Sequence, residues 1–286
     1  MKNLILGATG TIGSGVVREL LDRNQDVRVL TRTAGKTDGF GAKVQTVVGN
    51  LLEPATLTGA FDGIDNVFLL NAVSTTETHE GLIALNEAKQ AGVKRVVYLS
   101  VHNADQGAHI PHFGSKLPIE TVLKSSGMQW TILRPNNFFQ NDVWMKDAIT
   151  KYGVYPQPIG DIGCSRVDAR DIAEAAAIVM TTPGHEGQTY NLVGSKPING
   201  TTAAEMWTTA MGTKISYQGN DLEAWSKQMA AYMPAFMLYD MKIMYAFFQK
   251  HGLLANETDI KRQTQMLGHA PRTFEAFVAE TAKSWK

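Results

Sequence analysis

Three glycines spaced three residues apart lie near the start of the chain, in the stretch GATGTIG from Gly7 to Gly13. Because glycines lack side chains, backbone N–H groups can approach a diphosphate closely, and the partial positive charge of a helix N-terminus favours the anion. The spacing therefore predicts a cradle for the diphosphate of a dinucleotide. The alternative is a plain strand-to-helix turn, in which the glycines serve only the geometry of the backbone.

The segments around the glycines predict a strand before them and a helix after them. Residues 4–6 form a short apolar run, typical of a buried parallel strand, and apolar residues recur at a helical period over residues 12–23. Further strands are predicted at residues 27–30, 44–48, 67–70, 96–99 and 131–133, and further helices at 57–61, 77–91 and 119–124. This alternation predicts an α/β fold with a Rossmann-type doubly wound parallel sheet, which binds ligands beyond the carboxyl ends of its strands.

The composition of the chain changes after Tyr152. A Pro- and Gly-rich connection follows, and then the helical pattern VDARDIAEAAAIVM, in which Asp168 or Asp171 is expected to cap the helix. We therefore predict a dinucleotide-binding domain over residues 1–152, to which residues 165–194 return. Residues 153–286 are expected to form most of a smaller, mainly helical substrate-binding domain.

Charge and cysteine content exclude several classes of function. The 27 basic and 27 acidic residues balance, so no electrostatic footprint for a nucleic acid is present. The single cysteine, Cys164, can form neither an internal disulfide nor a CxxC site. The first residues enter a strand at once, and no apolar run has the length of a membrane span. We therefore expect a cytoplasmic protein with no nucleic-acid or membrane partner.

The end of the second predicted strand indicates which dinucleotide binds. NAD sites usually carry Asp or Glu there, and the carboxylate accepts hydrogen bonds from the ribose hydroxyls. Here the sequence reads VRVLTRTAGK, with Arg32 and Lys36 and no carboxylate. A guanidinium pairs well with a 2′-phosphate, so we predict NADPH as the preferred cofactor and NADH as a weaker one. Two solvated loop cations are the alternative.

Five motifs spread over nearly the whole chain carry a family resemblance. They are GATGTIG, EAKQAGVKRVVYLSV, HFGSKLPIETVLKSSGMQWTILRPNNF, VDARDIAEAAA and LGHAPRTFEAFV. With them the chain resembles the NmrA-like family of atypical short-chain dehydrogenases/reductases. The resemblance implies flavin-free, NADPH-dependent reduction of quinones, azo dyes or triphenylmethane dyes, although other members sense NADP(H) without turnover.

The resemblance also implies roles for individual residues. Contacts to the cofactor phosphates fall on Gly7, Thr9, Gly10, Thr11, Ile12 and Gly13, and contacts to the 2′-phosphate fall on Arg32 and Lys36. The loops on the nicotinamide side correspond to Asn71, Ala72 and Val73, to Ser100, Val101 and His102, and to Pro135, Asn137 and Phe138. The family lysine falls on Lys116. At Asn50 the chain departs from the family, which commonly carries aspartate there, so no adenine contact is assigned to that side chain.

The usual Tyr-x-x-x-Lys motif of short-chain dehydrogenases is absent, because none of the eight tyrosines has a lysine four residues later. The nearest pattern is His112-x-x-x-Lys116. Lys116 is therefore a candidate to hold the nicotinamide ribose, and His112 is a candidate proton donor near neutral pH. A surface role for His112 is equally open. A quinone or a conjugated dye accepts hydride readily and needs positioning more than it needs a strong acid.

The C-terminal third contains a Met- and aromatic-rich stretch, from Met229 to Phe248, that suits a flat, conjugated ligand. Core packing is the alternative for such a stretch, and Pro234 is expected to interrupt its helix. We predict an acceptor pocket between the nicotinamide loops and this stretch. Its predicted lining residues are His102, Phe139, Trp144, Met233, Met237 and Tyr239. His109 and His112 lack a third ligand nearby in the sequence, so no metal site is predicted.

Together these observations predict an NADPH-dependent, flavin-independent reductase that transfers hydride to a bulky conjugated aromatic molecule. The competing prediction is an NADP(H)-sensing regulatory protein without turnover. An isomerase or epimerase is disfavoured by the missing Tyr-x-x-x-Lys motif. We expect a monomer or a homodimer that requires neither flavin nor metal.

Overall fold

The structure, a computed structural model, describes residues 1–285. Its strands are β1 (Lys2–Ile5), β2 (Asp26–Thr31), β3 (Val44–Val48), β4 (Asn66–Leu69), β5 (Arg95–Leu99), β6 (Gln129–Pro135), β7 (Val154–Tyr155), β8 (Gln188–Leu192) and β9 (Ser216–Tyr217). Its helices are α1 (Thr11–Asp22), α2 (Glu77–Gln90), α3 (Pro111–Gly114), α4 (Lys116–Ser125), α5 (Lys146–Tyr152), α6 (Ala169–Thr181), α7 (Gly200–Met211), α8 (Leu222–Met229), α9 (Ala235–His251), α10 (Glu257–Leu267) and α11 (Phe274–Trp285). Short 3-10 segments lie at Asp38–Phe40, Pro54–Leu57 and Phe139–Met145. None of the helices within residues 1–285 has the length and apolar character needed to cross a membrane.

Within the described residues, seven strands form one sheet in the order β3-β2-β1-β4-β5-β6-β8. The neighbouring strands from β3 to β6 are parallel, and Ile5 of β1 lies between Val29 of β2 and Phe68 of β4. The strand order reverses between β1 and β4, which is the switch point where open α/β sheets bind their ligands. The predicted α/β fold with a doubly wound parallel sheet is confirmed.

The helix predicted at residues 57–61 is wrong. The chain instead forms the 3-10 segment Pro54–Leu57 and then turns. Gly59 has a φ of +73°, a left-handed conformation that ends the segment. Leu57, Ala60 and Phe61 still pack into the hydrophobic core. The pattern of apolar residues therefore identified the buried positions but not the type of turn that buries them.

The described chain divides into two compact units. The first comprises Met1–Arg134 and Ala169–Tyr190 and holds most of the seven-stranded sheet, and the second comprises Pro135–Asp168 and the chain from Asn191 onward. The segment 135–152, expected from the sequence in the first domain, therefore lies in the second unit. Its backbone explains the assignment, because the N–H of Asn136 donates to Leu192 O (2.9 Å) and that of Phe139 to Val167 O (2.9 Å).

In the first unit, helices pack closely where small residues allow it. Helix α1 packs on α6, and a Cβ added to Gly15 would lie only 2.8 Å from the Cβ of Ala173. Helix α2 packs on α4, where Gly81 faces Ile119. Tyr98 of β5 joins the hydrophobic cluster that these two helices share. Since α1 and α2 follow β1 and β4, this packing holds their N-termini at the carboxyl edge of the sheet.

The second unit is mainly helical and has a core of aromatic side chains around one ion pair. Trp207 of α7 and Phe277 of α11 are both buried, and their rings meet edge to face. Arg166 and Asp142 form an ion pair at 2.6 Å with both side chains fully buried. Trp207 Nε1 donates to the other oxygen of the same carboxylate (2.9 Å). The buried charges thus have both a partner of opposite sign and further hydrogen bonds, which their burial requires.

Cys164, the only cysteine of the chain, is fully buried in the second unit. Its backbone N–H donates to Ile198 O (3.0 Å), so its position is fixed by the main chain. Burial raises the pKa of the Cys164 thiol to about 12. The thiol therefore stays protonated at neutral pH.

Candidate functional site

The turn between β1 and α1 is closed tightly by its glycines. Gly7 adopts a φ of +73°, and the N–H of Gly10 donates to Gly7 O (3.1 Å). A Cβ added to Gly13 would overlap the Gly7 carbonyl group and lie 2.8 Å from Ala8 Cα. A side chain at Gly7 is excluded as well, because its Cβ would lie 2.9 Å from Leu70 O. The turn therefore needs glycine at both of its ends.

Helix α1 begins with open backbone amides. Gly10 is the N-cap in an extended conformation, and no side chain within residues 1–285 caps the helix by a hydrogen bond. Its first turn contains no acidic residue. No side chain therefore competes with an anion for the N–H groups of Thr11, Ile12 and Gly13. This end of the helix can hold a diphosphate through backbone hydrogen bonds.

Two exposed cations, Arg32 and Lys36, follow β2 at the same edge of the sheet. In the described part of the chain, no carboxylate pairs with either of them. The loop is shaped by Thr33, whose N–H donates to Thr31 Oγ1 (3.3 Å). Arg28 is instead buried in the first unit, where its guanidinium donates to the carbonyl groups of residues 59, 60 and 62. The exposed pair is thus the positive charge available to a ligand beyond β2.

Asn50, which follows β3, uses its side chain within its own turn. Its Oδ1 accepts from the N–H of Leu52 (3.2 Å), and its Nδ2 donates to Glu53 Oε1 (3.0 Å). Both ends of the amide group are therefore occupied locally. This geometry agrees with assigning no nucleotide contact to the Asn50 side chain.

The ends of β4 and β5 bring two of the predicted loops side by side. Leu69 lies opposite Tyr98, so the parallel register continued by two residues sets Asn71 opposite Ser100. Both residues are buried. Within residues 1–285, Asn71 Oδ1 has no hydrogen-bond partner, and a buried acceptor of this kind gains most from a ligand donor. The neighbouring loop residues are exposed at Ala72 and half-buried at Val73 and Val101.

Lys116, the first residue of α4, is buried against an acid that the sequence pattern does not single out. Its Nζ donates to Oε1 of Glu77, the first residue of α2, and the two side chains are 8% and 0% exposed. Ser115 Oγ donates to the other oxygen, Glu77 Oε2 (3.1 Å). The sequence gave only a weak indication that Glu77 pairs with Lys116. A glutamate in the first turn of a helix is usually solvated and interacts favourably with the helix dipole.

A second buried acid, Glu120, lies one turn further along α4. Arg134 of β6 donates to both of its carboxylate oxygens (2.9 and 2.7 Å) and also to Asp105 Oδ2 (2.8 Å). Burial raises the pKa of Glu120, but the hydrogen bonds from Arg134 and Lys124, together with the positive charge of Arg134, outweigh that effect and leave the pKa below its usual value. Glu120 is therefore ionised at neutral pH. Through its hydrogen bonds to Glu120 and Asp105, Arg134 connects α4 to the loop after β5.

The two histidines predicted near the reacting centre differ in exposure. His102, in the loop after β5, is buried, whereas His112 in α3 is half-buried. The His112 ring meets Phe113 edge to face, with ring centroids 4.8 Å apart. Ser115 separates α3 from α4, so His112 and Lys116 lie on successive short helices rather than on one. The role of His112 as a proton donor stays a prediction.

Pro135, Asn137 and Phe138 lie in the second unit, where one arginine fixes their loop. Arg166 donates from Nε to Asn137 Oδ1 (3.0 Å) and from Nη2 to Phe138 O (2.7 Å). The N–H of Val167 donates to Asn137 O (2.9 Å). Because the guanidinium is fully buried, the core of the second unit sets the conformation of this loop.

Two residues predicted to contact an acceptor, Phe139 and Trp144, have opposite environments in the second unit. Phe139 is buried, and its ring packs on Phe274 and Phe277 with centroids 5.1 and 5.7 Å apart. Phe139 therefore packs in the core of this unit. Trp144 is 91% exposed. Their contacts with an acceptor stay predictions.

The Met- and aromatic-rich stretch combines an exposed part and a core part. Pro234 precedes α9 as its N-cap, so the helix is interrupted where the sequence predicted. Met233 and Met237 are half-buried and Tyr239 is 64% exposed. From Met244 onward, most of the large apolar side chains of α9 are buried. The first half of the helix thus offers apolar surface to a ligand, while the second half packs in the core.

A family model places the chain among known proteins. The model of the NmrA-like family matches residues 2–278. The chain belongs to the NmrA-like family. The family predicted from the five motifs is therefore confirmed, and the NmrA-like match includes both compact units.

Relatives of this NmrA-like chain include a protein named as a reductase. The NAD(P)H azoreductase of Xenophilus azovorans is 32% identical over 285 residues, which cover 99% of this chain and 98% of the azoreductase. The crystal structure of an NADPH-dependent quinone oxidoreductase from Escherichia coli, complexed with NADPH, superposes with a TM-score of 0.87 at 24% identity over 98% of this chain and 99% of that chain. The triphenylmethane reductase of Citrobacter sp. complexed with NADP(H) superposes with a TM-score of 0.84 at 22% identity over 99% and 100% of the two chains. At these identities the two solved structures show a shared NmrA-like fold.

Proposed function

We propose that this chain is a flavin-independent reductase in which bound NADPH supplies a hydride to a bulky conjugated acceptor of the quinone, azo-dye or triphenylmethane-dye type. The observation that carries the proposal is the glycine-closed turn with open amides at α1, in a chain 32% identical to an NAD(P)H azoreductase. The full-length coverage of that relative supports a reductase role for the whole chain.

The residues at the carboxyl edge of the first unit fit such a cofactor. Gly13 lets the start of α1 pack directly against the backbone of Gly7 and Ala8, and the uncapped amides of that helix start would bind the diphosphate. Arg32 and Lys36 supply positive charge for the 2′-phosphate. Lys116 would bind the ribose hydroxyls, and the buried Asn71 Oδ1 would accept a hydrogen bond from the nicotinamide portion.

In this proposal the residues of the chain mainly orient the acceptor, and no strong general acid is required. A short-chain dehydrogenase tyrosine with a lysine four residues later does not occur in this sequence. An acceptor with an extended conjugated system spreads incoming charge over many atoms, so it needs orientation more than a dedicated acid. His112 is the candidate to supply the proton.

The proposed function is tested by mixing the purified chain with NADPH and, separately, a quinone, an azo dye and a triphenylmethane dye. We expect oxidation of NADPH with at least one acceptor, in protein whose visible spectrum shows no flavin and without added flavin. Protein that binds NADPH but oxidises it with none of the acceptors would favour the regulatory alternative. Activity that depends on added or bound flavin would contradict the flavin-free proposal.

Arg32→Ala is expected to weaken NADPH binding while leaving NADH binding nearly unchanged. The variant lacks the guanidinium and so loses one charge-assisted contact to the 2′-phosphate. This loss costs about 1.5–3 kcal/mol, or roughly 10- to 150-fold in affinity. Titration calorimetry with both cofactors measures the effect. Arg18→Ala removes another exposed arginine, from α1, and is the matched control. Equal affinity of the wild type for NADPH and NADH would rule out the 2′-phosphate role.

Tyr239→Ala is expected to change the preference among acceptors while leaving the NADPH dissociation constant unchanged. The side chain is 64% exposed, so its removal leaves the core intact. Loss of an aromatic contact is worth about 0.5–1.5 kcal/mol, so kcat/KM for the best acceptor falls roughly 2- to 12-fold. Tyr152→Ala, at an exposed tyrosine that ends α5, is the control. Identical kcat/KM ratios in both variants and the wild type would exclude Tyr239 from the acceptor site.

A further inference from the structure

Glu77 is a fully buried acid at the carboxyl edge of the sheet that the proposed function leaves without a role. It is the first residue of α2, and its side chain is 0% exposed. One carboxylate oxygen accepts from Lys116 Nζ and the other from Ser115 Oγ (3.1 Å). The acid therefore faces the start of α4 rather than solvent.

Contacts between α2 and the start of α4 hold Glu77 in this position. Thr78 Oγ1 donates to Ser115 O (2.7 Å), which connects the first turn of α2 to the residue before α4. One turn later, a Cβ added to Gly81 would lie 2.8 Å from Ile119 Cγ1, so the two helices approach as closely as glycine allows. The carboxylate and the ammonium are thus placed by helix packing and not by flexible side chains alone.

A buried ion pair is a costly way to join two helices, because well-packed apolar residues are often as stable or more so. The pair nevertheless lies between helices that start at the ligand-binding edge of the sheet. The loop that leads into α2 carries Asn71, whose buried Oδ1 lacks a hydrogen-bond partner among residues 1–285. An unsatisfied acceptor and a buried charge pair on neighbouring segments indicate a polar ligand at this edge.

We propose that Glu77 is a positioning residue that holds Lys116 for the nicotinamide-side ribose, an inference that rests on the proposed function. An ammonium group has three N–H donors, and Glu77 accepts from one of them. The two others are left for the hydroxyls of the ribose. Glu77 also fixes the rotamer of a long side chain, so less conformational entropy is lost when the ligand binds.

The test is a double-mutant cycle on the NADPH dissociation constant, measured by titration calorimetry without an acceptor. The four proteins are the wild type, Glu77→Gln, Lys116→Met and the double variant. We expect Glu77→Gln to weaken NADPH binding about tenfold, the effect of one misplaced charge-assisted hydrogen bond. In the Lys116→Met background the same substitution should change the dissociation constant less than about twofold, because contacting groups are not additive.

Glu80→Gln is the matched control, since it removes an acidic charge from the same turn of α2. Among residues 1–285, the Glu80 carboxylate accepts a hydrogen bond from Thr76 alone. The NADPH affinity of this variant should equal that of the wild type. If Glu77→Gln fails to fold, Glu77→Asp takes its place, because it keeps the charge but withdraws the carboxylate from Lys116. It should weaken binding only when Lys116 is present.

The outcomes separate this inference from the proposed function. Wild-type protein that binds no NADPH overturns the proposed function and this inference with it. Wild-type protein that binds NADPH, combined with an unchanged dissociation constant in Glu77→Gln, overturns the inference alone. Equal weakening in both backgrounds also overturns it, since Glu77 would then act independently of Lys116.

Discussion

Replacing Arg166 with methionine lowers the free energy of unfolding by about 3–5 kcal/mol, because it leaves a buried carboxylate without its counter-charge. Asp142 is fully buried and accepts from the guanidinium at 2.6 Å. Tyr155, Gln157 and Trp207 also donate to Asp142, but neutral donors do not replace a positive charge in the core. For a chain of this size the melting temperature should fall by roughly 5–8 °C.

Thermal and chemical denaturation of the Arg166→Met variant measure this effect. Arg18→Met, at an exposed arginine, is the matched control and should melt with the wild type. Adding Asp142→Leu to Arg166→Met should recover part of the loss, because the uncompensated charge is then removed as well. An Arg166→Met variant as stable as the wild type would mean that water or another cation reaches Asp142.

Gly13→Ala reduces NADPH affinity by roughly 100-fold or more. The new methyl group would overlap the Gly7 carbonyl group and lie 2.8 Å from Ala8 Cα, so the turn between β1 and α1 must open. Opening would move the amides of Thr11 and Ile12 away from the position that we propose for the diphosphate. Two lost charge-assisted hydrogen bonds cost about 3 kcal/mol or more, which corresponds to that factor.

Two further glycine variants serve as controls that distinguish a loss of cofactor binding from a loss of stability. Gly39→Ala is the control for both properties, since a Cβ there meets no atom of residues 1–285 within 4 Å. Gly10→Ala should keep the stability of the wild type, because its φ is −88° and its Cβ would lie 3.5 Å from Gly7 O, an ordinary contact. If Gly13→Ala binds NADPH as tightly as the wild type does, the diphosphate does not lie on this turn.

The parallel sheet could be predicted from the sequence because its central strands are buried on both faces. All four residues of β4 are buried, and such strands appear in a sequence as short continuous apolar runs. The glycine turn was predictable for a related reason, since its spacing combines with a strand and a helix in a fixed order. Both patterns are local, and each lies within about twenty residues of sequence.

The polar pairs were not predictable because they join residues that are distant in sequence. Glu77 and Lys116 are 39 residues apart, and Asp142 and Arg166 are 24 residues apart. The periodicity of apolar residues does not indicate which buried charges pair, because the tertiary packing of distant segments brings the partners together. The same limit explains residues 135–152, whose hydrogen bonds to residues 167 and 192 assign them to the second unit.

The burial of Cys164 affects how the chain withstands the molecules that we propose it reduces. Quinones are electrophiles as well as oxidants, and they arylate protein thiolates by conjugate addition. The nucleophile in that reaction is the thiolate, which Cys164 does not form at neutral pH because burial raises the pKa of its thiol to about 12. No second cysteine exists in the sequence. Because the Cys164 side chain is also 0% exposed, we expect that quinones do not inactivate the chain by arylating its thiol.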